Sequence, residues 1–292
     1  MDLADLIKEK RPNLSPNSVK TYKSILTNIY RKCFPNDDEM QIKKFDDTEC
    51  IMDHLKDIPF NKRKTTLAAL VVITGNKDYT KLMTEDINKY NQNQLLQKKE
   101  GKFENMIPIE EVEGILKKLE KEAKHLYKKE NLEMKDYQKI QDYILLALTG
   151  GIYQAPRRSL DWVMLVKDYD VEKDNYIDMK NKVFVFNSYK TAKSNGSQTI
   201  EIVKPLLTIL KKWISILPAD MKYLLFDGKG NHITPSQITH RLNNIFGKPI
   251  STSLLRHIYL TSKFSNVNLK DLKDTANAMG NSPMVALEYV KK

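Results

Sequence analysis

Between residues 171 and 203 the chain changes rhythm. Tyr176-Ile-Asp-Met-Lys-Asn-Lys-Val-Phe-Val-Phe sets β-branched and aromatic residues around a turn signal at Asn181-Lys182. Lys193-Ser-Asn-Gly-Ser turns the chain again before Gln198-Thr-Ile-Glu-Ile-Val. Elsewhere the apolar residues recur at the three- and four-residue spacing of helices. A short β island in a helical chain predicts a mainly α protein with a small antiparallel β-sheet of three strands, an α+β fold.

The helical parts can be placed by their apolar faces. Over residues 15 to 33, Val19, Tyr22, Ile25, Leu26 and Ile29 share one face, while Lys20, Lys23, Arg31 and Lys32 lie elsewhere, giving an amphipathic helix with a basic outer side. Helices are expected over 50 to 56 and 61 to 75. The second opens on Lys62, Arg63 and Lys64, cations that oppose the helix dipole; a bound phosphate would offset that cost, and a solvated charge cluster is the other reading. A polar, glycine-ended stretch over 90 to 102 marks a domain boundary, which divides the chain into a helical domain 1–95, a linker 96–104 and a second domain 105–292. In the second domain, Pro108 and acidic residues announce a helix over 107 to 119. A charged helical stretch follows over 121 to 139, then a buried helix over 142 to 150. Pro205 opens an amphipathic core helix, and 234 to 246 is a capped helix whose Ser236, Gln237, His240 and Arg241 can reach phosphate or bases.

At 292 residues the chain is long enough for two cores. Lysine and arginine number 48 against 37 acids, a net charge of +11 that favours a polyanionic partner. Residues 1 to 100 hold 18 of these cations against 15 acids, so most of the surplus lies in the second domain. Cys33 and Cys50 are too few and too isolated for a disulfide framework, and free thiols in a reducing, intracellular compartment are expected. No histidine falls into a Cys/His zinc spacing, so no metal and no cofactor is expected. The longest apolar runs, near 67 to 74 and 143 to 148, are too short to span a bilayer, and the first five residues have no signal-peptide character. No membrane partner is expected.

The last forty residues carry the chemistry. Leu254, Leu255, Ile258 and Tyr259 recur at helical spacing behind Ser251 to Ser253, which places Arg256 close to an apolar face. Gly280 closes one helix, Ser282 can cap the next, Pro283 suits its first turn, and Tyr289 falls about two turns into a short final helix. Upstream, Gly151-Ile-Tyr-Gln-Ala-Pro-Arg-Arg-Ser-Leu-Asp-Trp sets two arginines directly after a proline. Leu160, Val163 and Met164 continue a helical apolar face behind them.

These boxes resemble the tyrosine recombinases (integrases): Leu254-Leu-Arg-His, Met279-Gly-Asn-Ser and Tyr289 in the order that family shows, with an arginine box before them. In the family the first arginine stands three residues before an acidic residue, a register Arg158 meets through Asp161, with Arg157 the alternate. A lysine follows the second strand of the small sheet, where Lys190 is the first choice and Lys193 the second. The resemblance implies Tyr289 as nucleophile, with Arg158, Arg256, Lys190, His257, Asn281 and Ser253 around the reacting phosphate. It implies a helical core-binding domain that clamps duplex DNA with the catalytic domain, and contacts from Lys20, Lys23, Lys62, Arg63, Lys64 and Arg241. The implied partner is double-stranded DNA, bound by a homo-oligomer that is a tetramer on paired sites. In look the boxes are most similar to integrases of mobile elements and large DNA viruses, including virophages.

The chemistry is coherent. A phosphodiester attacked by an oxygen nucleophile builds negative charge on its non-bridging oxygens, and two guanidiniums supply planar, permanently charged forks for it. A tyrosine, near pKa 10 when unperturbed, needs cations or a base to attack at neutral pH. A lysine at the leaving oxygen can serve as general acid. Two positions depart from the family's pattern: Ser253 stands where histidine is usual three residues before the second arginine, and Asn281 replaces the histidine of the glycine turn. Neither titrates near neutrality, so acid–base help falls to Lys190 or His257. The implied activity is site-specific DNA cleavage and rejoining through a 3′-phosphotyrosyl intermediate. A type IB topoisomerase-like enzyme and a recombinase-derived DNA-binding or virion protein without activity are the alternatives.

Overall fold

The computed structural model describes residues 2–95, 104–264, 269–287 and 289. The chain divides into two compact units, residues 1–99 and 100–292. The linker expected at 96–104 lies, apart from Glu104, outside the described residues.

Unit 1 is helical: α1 (Leu3–Lys10), α2 (Pro16–Cys33), a 3₁₀ turn (Ile42–Asp46), α3 (Thr48–Lys56), α4 (Phe60–Thr74) and α5 (Lys77–Leu95). Ser15 caps α2 by accepting from the Ser18 amide at 3.2 Å, with Pro16 in the first turn. Gly75 ends α4 at φ 69°, the left-handed conformation that glycine adopts without strain. Ile7, Leu26, Ile51, Leu55, Leu67 and Leu70 are fully buried in one core. Tyr79 joins them and donates its hydroxyl to the Phe45 carbonyl at 2.9 Å. Residues 90–95, expected at the domain boundary, instead finish α5.

Unit 2 opens with α6 (Ile109–Leu126) and α7 (Met134–Thr149). The helical stretch expected over 121 to 139 is broken, because Glu133 and Asp136 form a reciprocal capping box that starts a new helix. A 3₁₀ turn (Ser159–Trp162) leads into β1 (Met164–Leu165), then β2 (Asn175–Asp178), β3 (Val183–Phe186), α8 (Ala192–Asn195), β4 (Gln198–Glu201), α9 (Lys204–Ser215), α10 (Pro235–Phe246), α11 (Thr252–Lys263), α12 (Leu269–Ala278) and α13 (Pro283–Leu287). Among the described residues no helix is long and apolar enough to cross a membrane.

Among the described residues the protein is mostly helical with one small sheet, of four strands in the order β1-β2-β3-β4 rather than three. β2, β3 and β4 are antiparallel as expected, with Ile177 opposite Phe184 and Phe184 opposite Ile200. The added β1 pairs in parallel with β2 and makes the sheet mixed. β1 arises where a helix was expected. Trp162 is buried edge-on against Phe184 (5.5 Å) and Phe186 (5.9 Å), which draws the chain onto the sheet after a single turn. Leu160, placed on that helix's apolar face, is 46% exposed. The Asn181-Lys182 turn forms as read: Lys182 has φ 59°, and the Asp178 carboxylate accepts from the amides of Lys180 and Asn181.

Candidate active site

Two neighbouring arginines do different work. Arg157 is 1% exposed. Its Nε donates to Asp161 Oδ2 at 2.8 Å, and one Nη donates to Gln198 Oε1 (2.9 Å) and to the Ala278 carbonyl (3.0 Å). Its guanidinium lies over the Phe186 ring at 4.0 Å. Arg158, half-buried, donates to the next residues of the same turn, the Gly280 carbonyl at 3.1 Å and Asn281 Oδ1 at 2.5 Å. The 3₁₀ turn follows directly on the pair, with Arg158 at its N-cap, and Ser159 ties it to the start of α11 through a 2.8 Å contact with the Thr252 hydroxyl.

Arg256 comes from α11, whose first turn is capped by Ser251 accepting from the Leu254 amide. Arg256 is 1% exposed, and one Nη donates to the Tyr289 hydroxyl at 3.3 Å. Its Nε and second Nη are buried with no partner among the described residues, and so is Asn281 Nδ2. Burial pulls the Arg256 guanidinium below its ordinary pKa, opposed by Tyr289. Burial likewise pushes Asp161 up, and Arg157 pulls it back first, then Arg158 and Arg256. Of these three arginines, Arg157 is the one that bonds the carboxylate.

Tyr289 is held by its neighbours in α11. His257 stacks on its ring at 4.2 Å and donates Nδ1–H to its carbonyl at 2.9 Å. The chain reaches this place from a Gly280 turn at φ 65°, with the Asn281 amide bonded to the Ala276 carbonyl at 2.8 Å and Ser282 capping α13. Tyr289 itself lies past α13, not within it, in a turn closed by its amide on the Ala286 carbonyl at 3.0 Å.

The remaining candidates scatter. Lys190 stands exposed in the β3–β4 connection, four residues past β3 rather than directly after it, and next to Thr191, which donates to the Gly280 carbonyl at 3.2 Å. Lys193 is exposed on α8. Ser253 is half-buried one helical turn before Arg256. In unit 1, Lys20 and Lys62 are exposed, Lys23 pairs with Asp2 at 2.7 Å, and the Lys64 ammonium sits 3.0 Å from the centre of the Tyr90 ring. Arg63 and Arg241 have their forks occupied within the fold. Arg63 grips buried Asp86 with two bonds of 2.7 and 2.8 Å. Arg241 bonds Asp142 on α7 at 2.6 and 2.9 Å and Gln138 Oε1 at 2.8 Å.

Three residues that frame the site carry no sequence signal. Gln198 and Thr191 are polar residues in an ordinary hairpin. Asn175 is 3% exposed and holds the strand ends together by donating to the carbonyls of Asp161 (3.1 Å) and Ser188 (2.8 Å) and accepting from the Asn187 and Ser188 amides. Only a polar residue at a strand position marks it beforehand.

No family model matches the sequence, and no curated protein matches it. Solved structures do. The Tn1549 transposon integrase, solved with transposon right-end DNA, is 16% identical, with a TM-score of 0.53 over 100% of this chain and 95% of its own. The XerH site-specific recombinase, solved on a palindromic difH substrate in a post-cleavage complex, is 15% identical, with a TM-score of 0.50 over 98% of this chain and 79% of its own. At these identities the likeness establishes architecture, and the chain has the fold of the tyrosine recombinases and integrases.

Proposed function

We propose that this protein is a site-specific DNA strand transferase that cuts and rejoins duplex DNA through Tyr289. The observation that carries the reading is the Tyr289 hydroxyl 3.3 Å from a buried arginine, Arg256, that has two further N–H-bearing nitrogens without partners. Buried donors left unpaired are costly, and an anion that accepts from them removes the cost. A phosphodiester seated there accepts from Arg256, Arg158 and Asn281.

The Tyr289 oxygen then attacks the phosphorus. A tyrosyl O–P bond forms, the bond from phosphorus to the 5′ oxygen breaks, the tyrosine loses its proton and the leaving 5′ oxygen gains one. The guanidiniums stabilise the added charge on the non-bridging oxygens, and Lys190 on its hairpin is the donor to the leaving oxygen. Because one phosphoester replaces another, the reverse attack by a 5′ hydroxyl reseals the strand without an external energy source. The DNA in the solved integrase and XerH complexes agrees with a DNA substrate, as does the net charge of +11. Recombination between two sites calls for a homo-tetramer on paired DNA, in a compartment that keeps Cys33 and Cys50 reduced.

The test is a labelled, nicked duplex from the protein's own genetic element, incubated with purified protein and run on denaturing gels. A covalent adduct that disappears in Tyr289→Phe supports the reading. Binding without adduct, across sites and pH, replaces it with a DNA-binding protein in which Ser253 and Asn281 mark lost chemistry. Relaxation of any supercoiled plasmid, without site preference, replaces it with a topoisomerase.

A further inference from the structure

Arg157 reaches more of the site than any residue proposed to touch the phosphate, yet none of its bonds faces outward. Its Nε is paired with Asp161, a group as buried as itself. On one side it brackets the β3–β4 connection from both ends. Phe186, the last residue of β3, lies under the guanidinium at 4.0 Å and Tyr189 at 5.1 Å, while Gln198, the first residue of β4, accepts from it at 2.9 Å. The connection is closed between them, since the Tyr189 hydroxyl donates to the Gly196 carbonyl at 2.7 Å. Lys190 follows Tyr189 directly. On the other side the same Nη that meets Gln198 also meets the Ala278 carbonyl at the end of α12, and the second Nη packs against Gly280, where an added Cβ would stand 3.1 Å away. Gly280 and Asn281 are what Arg158 holds. A single buried cation therefore references the lysine-bearing hairpin and the asparagine turn to one point, beside the first arginine.

We propose that Arg157 and Gln198 are positioning residues that set the Lys190 hairpin against the Gly280–Asn281 turn, so that the lysine stands at the leaving oxygen when Tyr289 attacks. This rests on the strand-transfer reading. The guanidinium is a rigid fork, so moving one of its acceptors moves the others. Gln198 is the half of the link that can be cut without exposing a buried charge pair, because it is only half-buried and Asp161 keeps its Arg157 bond.

The experiment uses the full chain and a nicked duplex selected from a random-sequence pool for binding to it, made in two forms. One has the ordinary 5′ oxygen at the scissile bond and the other a bridging 5′ sulfur. A thiol, with a pKa of about 8.5, leaves without a proton donor, so the sulfur form removes the need for a positioned acid. Gln198→Leu is expected to slow adduct formation on the oxygen substrate by about 10- to 100-fold, the lower part of what a general acid contributes. On the sulfur substrate it should stay within about 3-fold of the unsubstituted protein, with DNA affinity and melting temperature unchanged. Gln198→Glu, which still accepts from Arg157, should recover most of the oxygen rate. Arg157→Lys should show the same selective defect. An equal loss on both substrates, or no loss on either, overturns the proposal. Absence of adduct from the unsubstituted protein on both substrates overturns the strand-transfer reading and this proposal with it, an outcome that the sulfur control separates from a hairpin defect.

Discussion

His257 holds Tyr289 by two contacts at once, its ring stacked at 4.2 Å and its Nδ1–H donated to the tyrosine carbonyl at 2.9 Å. The neighbouring residue, Arg256, holds the hydroxyl of the same tyrosine. Adjacent residues on one helix thus fix the backbone and the phenol of the proposed nucleophile. A stacked pair and a hydrogen bond are each worth about 1 kcal/mol, so His257→Ala is expected to shift docking of the Tyr289 segment by about 2 kcal/mol. His257→Asn, which keeps a donor, should lose about half of that. Hydrogen exchange of the Tyr289 amide reads the effect, and equal exchange in all three proteins would discount the latch.

Arg63 is expected to act on stability and not on DNA. Its partner Asp86 is fully buried, and removing the arginine strands a carboxylate between α4 and α5. Arg63→Ala should cost about 3 kcal/mol, the low end for breaking a buried pair. The double variant Arg63→Met with Asp86→Leu should regain most of it in denaturant unfolding. A single variant as stable as the parent contradicts the assignment.

The Arg241–Asp142 pair ties α10 to α7 at 2.6 Å, with side chains 14% and 31% exposed. Burial raises the Asp142 pKa despite Arg241, so losing the arginine leaves a strained carboxylate. Because the pair is partly hydrated, about 2 kcal/mol is expected for Arg241→Ala, below the figure for a dry pair. Its salt dependence of DNA binding should match the parent; a shallower slope would return Arg241 to the DNA-contacting set.

Gly280 and Gly247 share φ 65°, but only Gly280 has Arg157 in the way of a side chain. Alanine at Gly247 is expected to cost about 1 kcal/mol of backbone strain. At Gly280 the same strain is joined by displacement of the guanidinium 3.1 Å away, so Gly280→Ala should melt lower than Gly247→Ala and lose adduct formation. Identical melting temperatures would mean that the arginine yields freely.

Asp37 should control part of the acid response of unit 1. Its carboxylate is held below the ordinary value of 3.8 by Lys44 first and by the Tyr30 hydroxyl second. A depressed carboxylate pKa contributes stability that is present above the unfolded value and lost as pH falls through the folded one. Asp37→Asn should therefore lower the melting temperature at neutral pH and flatten its fall below about pH 4. An unchanged acid slope would sink this account.

Much of the architecture was legible because it is local. The faces of α2, α9 and α11 repeat at helical spacing, Ser15, Thr234 and Ser251 announce their helices, and the Asn181-Lys182 turn follows from residues within a few positions of it. The order of the boxes along the chain was legible as well, with Arg256, the Gly280 turn and Tyr289 following one another within the last forty residues. What the tertiary structure decided is everything that depends on which long-range partner a side chain meets. Arg157 and Arg158 are identical in kind and adjacent in sequence, and nothing local says that one is sealed against Asp161, Gln198 and Ala278 while the other bonds Asn281. Arg63 and Arg241 look like surface cations until Asp86 and Asp142 arrive from other helices. The helix expected after Arg158 gives way to β1 because Trp162 finds Phe184 and Phe186 on the sheet. Helix and turn preferences act over a few residues, whereas the fate of a buried charge is set by desolvation and by partners brought in from distant positions, which composition and spacing do not encode.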